Sequence, residues 1–182
     1  MKTAVIFTSQ TGFTKRYATW LSDRIHGELF DIKEVQKNDD SFFEPYDAIV
    51  YAGWFSAGKV VKANWFMDKA PNWKDKKLAV IAVGAGYSDD QETKKAMDSL
   101  LTEEQSSYIK AFYCQGGLDY EKMNIATRMV MKMFASSLKN KKNATDREKS
   151  MGEMFSKSFD ATDIKYIEPV VSFLEGAEVT SA

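Results

Sequence analysis

Ala4-Val5-Ile6-Phe7-Thr8-Ser9-Gln10-Thr11-Gly12-Phe13-Thr14-Lys15-Arg16-Tyr17-Ala18 is the stretch that decides the fold. Four apolar residues run without a break into a segment with four hydroxyl side chains in seven positions. Tyr17, Ala18, Leu21 and Ile25 then recur on one helical face, with Lys15, Arg16, Asp23 and Arg24 on the other. A short buried strand, a tight polar loop and an amphipathic helix follow in that order. At such a junction successive backbone N–H groups and the positive end of the helix dipole converge, so a phosphate can be held without a cation. Ser9, Thr11 and Thr14 add hydroxyl donors, and Gly12 permits a positive φ. The plainer alternative is that the Ser and Thr residues merely cap the helix. Four hydroxyls exceed what one cap needs, which favours phosphate.

Outward from this unit the pattern repeats. Ala48 to Tyr51, Leu78 to Val83 and Ile109 to Cys114 are further apolar runs bounded by Gly, Ser or Asp, and Leu29 to Val35 is a weaker, more polar run suited to a sheet edge. Strands alternating with helix-length segments predict an α/β domain with a doubly wound parallel sheet. After Cys114 the rhythm changes. Gly116-Gly117 opens a loop, and Met123 to Leu138 predicts a helix with Ala126, Met129, Val130, Met133, Phe134 and Leu138 on one face. Residues 139 to 150 show no apolar periodicity and are expected to form an exposed basic loop. A final helix is expected around Ile164, Ile167, Val171 and Leu174, with Pro169 counting against it.

Composition narrows the chemistry. The 182 residues are 44% hydrophobic and 28% charged, ordinary for one globular domain spanning 1–182. One cysteine, Cys114, cannot form an internal disulfide, and one histidine, His26, cannot build a Cys/His zinc site, so no metal is expected. Cys114 is expected to be a buried small hydrophobe and His26 an exposed or capping residue. No apolar run is long enough to span a bilayer, and the apolar start is too short for a secretory segment, so a cytoplasmic protein is expected. A net charge of −1 leaves no global footprint for nucleic acid.

Two further loops matter if the sheet is doubly wound. Gly53-Trp54-Phe55-Ser56-Ala57-Gly58 follows the third strand. Its small residues let backbone approach a flat ring, and Trp54 or Phe55 could stack on one. Gly84-Ala85-Gly86-Tyr87 follows the fourth, where Tyr87 either covers a second ring face or sits in a structural turn. Gly53-x-x-x-x-Gly58-Lys59 imitates a nucleoside triphosphate loop but has Val60 where magnesium needs Ser or Thr. Gly84-Ala85-Gly86 lacks the third glycine of a dinucleotide fingerprint. Asn143-Ala144-Thr145 and Ser136-x-x-Lys139 are chance matches to a glycosylation sequon and a hydrolase fragment.

Ser9-Gln10-Thr11-Gly12-Phe13-Thr14, directly after an N-terminal strand, resembles the S-x-T-G-x-T phosphate loop of flavodoxins. The resemblance implies a five-stranded sheet in the order 2-1-3-4-5 with helices on both faces, and FMN held by Ser9 to Thr14 with its ring between Gly53 to Gly58 and Gly84 to Tyr87. Gly117-Leu118-Asp119-Tyr120, the Met-rich helix containing Arg128 and Lys132, and the basic loop are similar to flavodoxin-domain proteins of the menaquinone-dependent protoporphyrinogen oxidase type. That similarity implies oxidation of a porphyrinogen with a quinone as acceptor, although Trp54-Phe55-Ser56 replaces more polar residues there. No side-chain acid or base is assigned. The near-neutral charge argues against an acidic electron carrier, which stays as the first alternative; a non-catalytic flavin-binding module is the second. Residues 118–150 are expected to form an insertion-like helix and basic loop. The Met face and Lys139, Lys141 and Lys142 could rest on the inner membrane surface through 123–142, and with Arg147 and Lys149 could attract propionates; otherwise the face is core and the lysines are solvated.

Overall fold

The computed structural model describes residues 1–56 and 58–176. In chain order the elements are β1 (Thr3–Phe7), α1 (Phe13–Ile25), β2 (Glu28–Asp31), α2 (Ile32–Val35), β3 (Ala48–Ser56), β4 (Lys59–Val60), α3 (Ala63–Lys69), β5 (Lys77–Gly84), α4 (Gln91–Asp98), α5 (Glu103–Ser106), β6 (Ile109–Gln115), β7 (Gly117–Leu118), α6 (Ile125–Asn140), α7 (Asp146–Phe155), β8 (Phe159–Asp160) and α8 (Glu168–Glu175). Three short 3-10 turns complete them.

Five parallel strands lie in the order β2-β1-β3-β5-β6, which is the doubly wound order 2-1-3-4-5 counted over those strands. Each central strand is apolar throughout because helices cover both faces; Ala4, Val5 and Ile6 of β1 are wholly buried, as are Leu78 through Ala82 of β5. One core gathers Phe43, Tyr51, Phe66 and Trp73 on one face of the sheet. The other gathers Tyr17, Leu21, Val171 and Leu174 of α1 and α8. The weak run at Leu29 divides as its polarity suggests. Glu28–Asp31 is an edge strand, whereas Ile32–Val35 is a helical turn closed by an Asp31–Glu34 capping box.

Two expected loops are corrected. β3 does not stop at Tyr51: it continues to Ser56 and pairs antiparallel with β4, Phe55 opposite Val60. A Cβ on Gly53 would lie 2.6 Å from Val60 Cγ1, so glycine there admits the returning strand. The expected exposed basic loop at 139–150 is instead the end of α6 and the start of α7, whose N-cap Thr145 accepts from the Glu148 N–H while the Glu148 carboxylate accepts from the Thr145 N–H. Pro169 falls in the first turn of α8, where no amide is needed, so the helix accommodates it, and Ile164–Ile167 form a 3-10 turn just before.

α6 and α7 form a hairpin outside the sheet. Its small core contains Leu118, Tyr120, Met123, Ala135 and Phe155. The chain leaves and rejoins the sheet through an antiparallel pair in which Leu118 faces Phe159 and Gly117 faces Asp160. The expectation of a core Met face on α6 is not met: Ala135 is its one buried residue, and Met129, Val130, Met133 and Phe134 are exposed. His26 caps α1 at φ 54°, its N–H donating to the Ser22 carbonyl. Cys114 is buried, and burial raises its thiol pKa.

Candidate functional site

The first helix begins without a side-chain cap. Gly12 is its N-cap residue at φ 103°, left-handed backbone that glycine alone adopts freely. The Ser9 hydroxyl accepts from the Gly12 N–H at 3.1 Å, closing the loop one residue short of the helix. The simple capping alternative therefore fails for the first turn. Thr8 N–H is taken by the Ala52 carbonyl and Arg16 N–H by Gly12, but among the described residues no acceptor meets the N–H groups of Thr11, Phe13 or Thr14. Orphan amides at a helix N-terminus are the physical requirement for anion binding.

These amides border a cleft of about 590 Å³ at the carboxyl ends of β1, β3 and β5, within the usual range for small-molecule sites. Gln10, Thr11, Phe13 and Thr14 line it from the first loop; Trp54, Phe55, Ser56 and Gly58 from the β3–β4 hairpin; and Gly84, Ala85 and Gly86 from the end of β5. Three separate stretches of sequence thus meet at one place. Ser9, Gly12 and Gly53 do not line it. Ala57 lies outside the described residues. Tyr87 is also absent from the wall, and the Arg147 guanidinium lies 5.5 Å from its ring centroid.

The two candidate aromatics differ. Phe55 packs against the first core, whereas Trp54 belongs to no core cluster and no aromatic pair among the described residues. Trp54 is the ring free to stack on a ligand. Tyr113 of β6 also lines the cleft and was not expected. Its hydroxyl donates to the Gly86 carbonyl at 2.8 Å, and a Cβ on Gly84 would lie 2.5 Å from that oxygen. Glycine at 84 therefore makes room for a tyrosine that braces the loop. Burial raises the Tyr113 pKa, so its hydroxyl remains a donor throughout the neutral range.

The roof of the cleft comes from the hairpin: Met123, Thr127, Val130, Met131, Phe134, Met151 and Phe155. Met151 and Phe155 lie on α7. The missed signal was Thr145-Asp146-Arg147-Glu148, a capping box three residues before the methionine at 151. Arg147 ties this roof to the loop after β5, donating to Asp89 at 2.6 Å with Asp90 at 3.7 Å. The guanidinium holds the Asp89 carboxyl below the usual carboxylate range. Asp90 and Glu92 line the cleft, but no Lys or Arg does among the described residues. Nor does any group of three or more His, Cys, Asp or Glu there stand where it could hold a metal ion.

The family model described as "Flavodoxin domain" matches residues 4–146, and the chain belongs to that family. Solved structures similar to it include a flavodoxin from the domain Archaea, 12% identical over 94% of this chain and 99% of that one, TM-score 0.41. A WrbA-like flavodoxin protein from Agrobacterium tumefaciens is 18% identical over 69% of this chain and 86% of that one, TM-score 0.44. A flavodoxin mutant from Fusobacterium nucleatum, bound to flavin mononucleotide, is 14% identical over 48% of this chain and 52% of that one, TM-score 0.32. No curated protein matches.

Proposed function

We propose that this chain binds one FMN noncovalently in the cleft and serves as an oxidoreductase toward a small, apolar, uncharged reactant. The observation that carries the reading is the set of unpartnered amides at Thr11, Phe13 and Thr14, opening into a cleft with an unpaired tryptophan on its wall. The phosphate dianion would lie against those amides and the Thr11 and Thr14 hydroxyls, with the ring alongside Trp54 and the backbone of Gly84 to Gly86. Bound there, FMN supplies hydride and electron transfer. The protein's own part is to orient the ring and to keep water from it with the methionine and phenylalanine roof.

Two features bear on the reactant. The roof is apolar and pliable, and the wall lacks a cation, so a neutral flat molecule such as a quinone suits it. A reaction like that of protoporphyrinogen oxidase, with a quinone as the uncharged reactant in the cleft, is the finer form of this reading. The propionates of a porphyrinogen would then have to reach Lys139 or Lys142 beyond the cleft wall, since no Lys or Arg lines it among the described residues, Lys141 is paired with Glu148 and Arg147 with Asp89. A carrier of electrons between proteins has less use for a roofed apolar space, and a net charge of −1 gives it little long-range steering.

The test begins with the absorption spectrum of the purified chain and identification of any flavin released by heat. Reconstitution with FMN and with riboflavin follows. FMN should bind at least tenfold more tightly, and Thr11→Val with Thr14→Val should weaken FMN by about tenfold or more while leaving riboflavin unchanged. Equal affinity for the two flavins would refute the phosphate site. Turnover of a soluble quinone by the loaded protein, absent with a protein acceptor alone, would favour the enzyme over the carrier.

A further inference from the structure

The roof helix has a second face. On α6, Ile125, Met129 and Met133 are 80%, 61% and 67% exposed, and Val130 and Phe134 beside them are also exposed. At 3.6 residues per turn these five side chains share one side of α6, with Ile125, Met129 and Met133 facing away from the cleft and Val130 and Phe134 at its mouth. Phe134 stacks on Phe155 of α7, whereas Ile125, Met129 and Met133 enter no core cluster among the described residues. Isolated apolar residues on a surface need no explanation, but a contiguous strip of large ones over about two and a half turns marks a contact.

The charge around the strip identifies the occupant. Between Ile125 and Lys142 stand five Lys or Arg residues and no Asp or Glu, in a chain whose net charge is −1. Lys132, Lys139 and Arg128 fall along one border of the strip at helical spacing. Lys141 pairs with Glu148, but Lys132, Lys139 and Lys142 enter no ion pair among the described residues, although the Lys132 ammonium lies 5.9 Å from the Tyr120 ring centroid. Long side chains at such a border bury their methylenes and reach outward with their ammonium groups. An exposed apolar strip edged by unpaired cations matches a surface that is apolar beneath and anionic above. We propose that α6 is the seat by which this chain docks on an anionic lipid bilayer, lying in the plane of the headgroups rather than crossing them. Among the described residues no helix is long and apolar enough to cross a membrane.

The opposite border of the strip is the mouth of the cleft, because Val130 and Phe134 belong to both. A bilayer against α6 would therefore face the cleft directly. The docking itself does not depend on flavin binding, so its test and the flavin test fail separately.

The test is co-sedimentation of the full chain with phosphatidylcholine vesicles containing about a third phosphatidylglycerol, and with phosphatidylcholine alone. Strong binding to the first and weak binding to the second is expected. Met129→Ser with Met133→Ser, and separately Lys132→Glu with Lys139→Glu, should each lower the anionic-vesicle affinity by about tenfold or more. All four side chains are exposed, so an unchanged melting curve and unchanged FMN affinity should accompany the loss. Equal binding to both vesicles, or no effect of either pair, would overturn the proposal. So would a concentration-dependent dimer abolished by the methionine substitutions without any vesicle binding, since the strip would then be a contact between copies.

Discussion

Tyr113 shows what a single side chain contributes beyond its own area. Its ring occupies the space that a Cβ on Gly84 would take, and its hydroxyl satisfies the carbonyl of Gly86. Tyr113→Phe should keep the ring packing and cost about 0.5 to 1.5 kcal/mol, measurable as a shift in the urea midpoint. Gly84→Ala should cost more, because the tyrosine must swing away. Trp54→Ala is the complementary probe: with no core or aromatic partner to lose, it should leave stability within about 0.5 kcal/mol of the wild type and weaken FMN binding about tenfold. Loss of stability without loss of affinity would make Trp54 a packing residue. Gly12 was legible from sequence as a positive-φ position. Tyr113 was not, because one aromatic in a buried strand has no local signature of a brace that acts across the fold.

At the scale of elements, the parallel strands were legible because burial on both faces leaves them uniformly apolar, and α1 because its stripe is regular. The failures share a cause. β3 was cut short at Tyr51 because Gly53 and Ser56 resemble a loop, although glycine there serves the close approach of β4. α7 was overlooked because its sequence is polar, and its short apolar face is completed only by α6. Thr145→Ala removes the cap that starts it and should cost about 1 kcal/mol. Hydrogen exchange should speed up at the amides of residues 146–149 first, with the sheet amides unchanged. Uniform acceleration through β1, β3 and β5 would mean that the hairpin and sheet unfold together. The phosphate loop and its neighbours were legible as a site because a doubly wound order brings strand ends together. The roof was not, since it depends on how a hairpin folds back over them.

For the whole molecule, the alkaline limit of stability follows from its tyrosines. Burial raises the pKa values of Tyr17, Tyr51 and Tyr113 above their ordinary 10.0. Burial also moves Tyr46, together with its bond to Glu28, to about 12. A raised value means that the folded state favours the protonated phenol. The stabilisation is fully present below pH 10 and disappears as pH climbs through the folded values. The melting temperature should hold to about pH 10 and then fall, in step with phenolate absorbance; a fall beginning well below that would point to other groups. The short ribbon in which Leu118 faces Phe159 has a different consequence. It brings together two points of the chain whose intervening segment supplies no residue to either sheet core. That segment is topologically an appendix. Excising 119–158 and suturing the ends with a tight turn should yield a smaller protein that still melts cooperatively, stripped of the greasy canopy over its cleft.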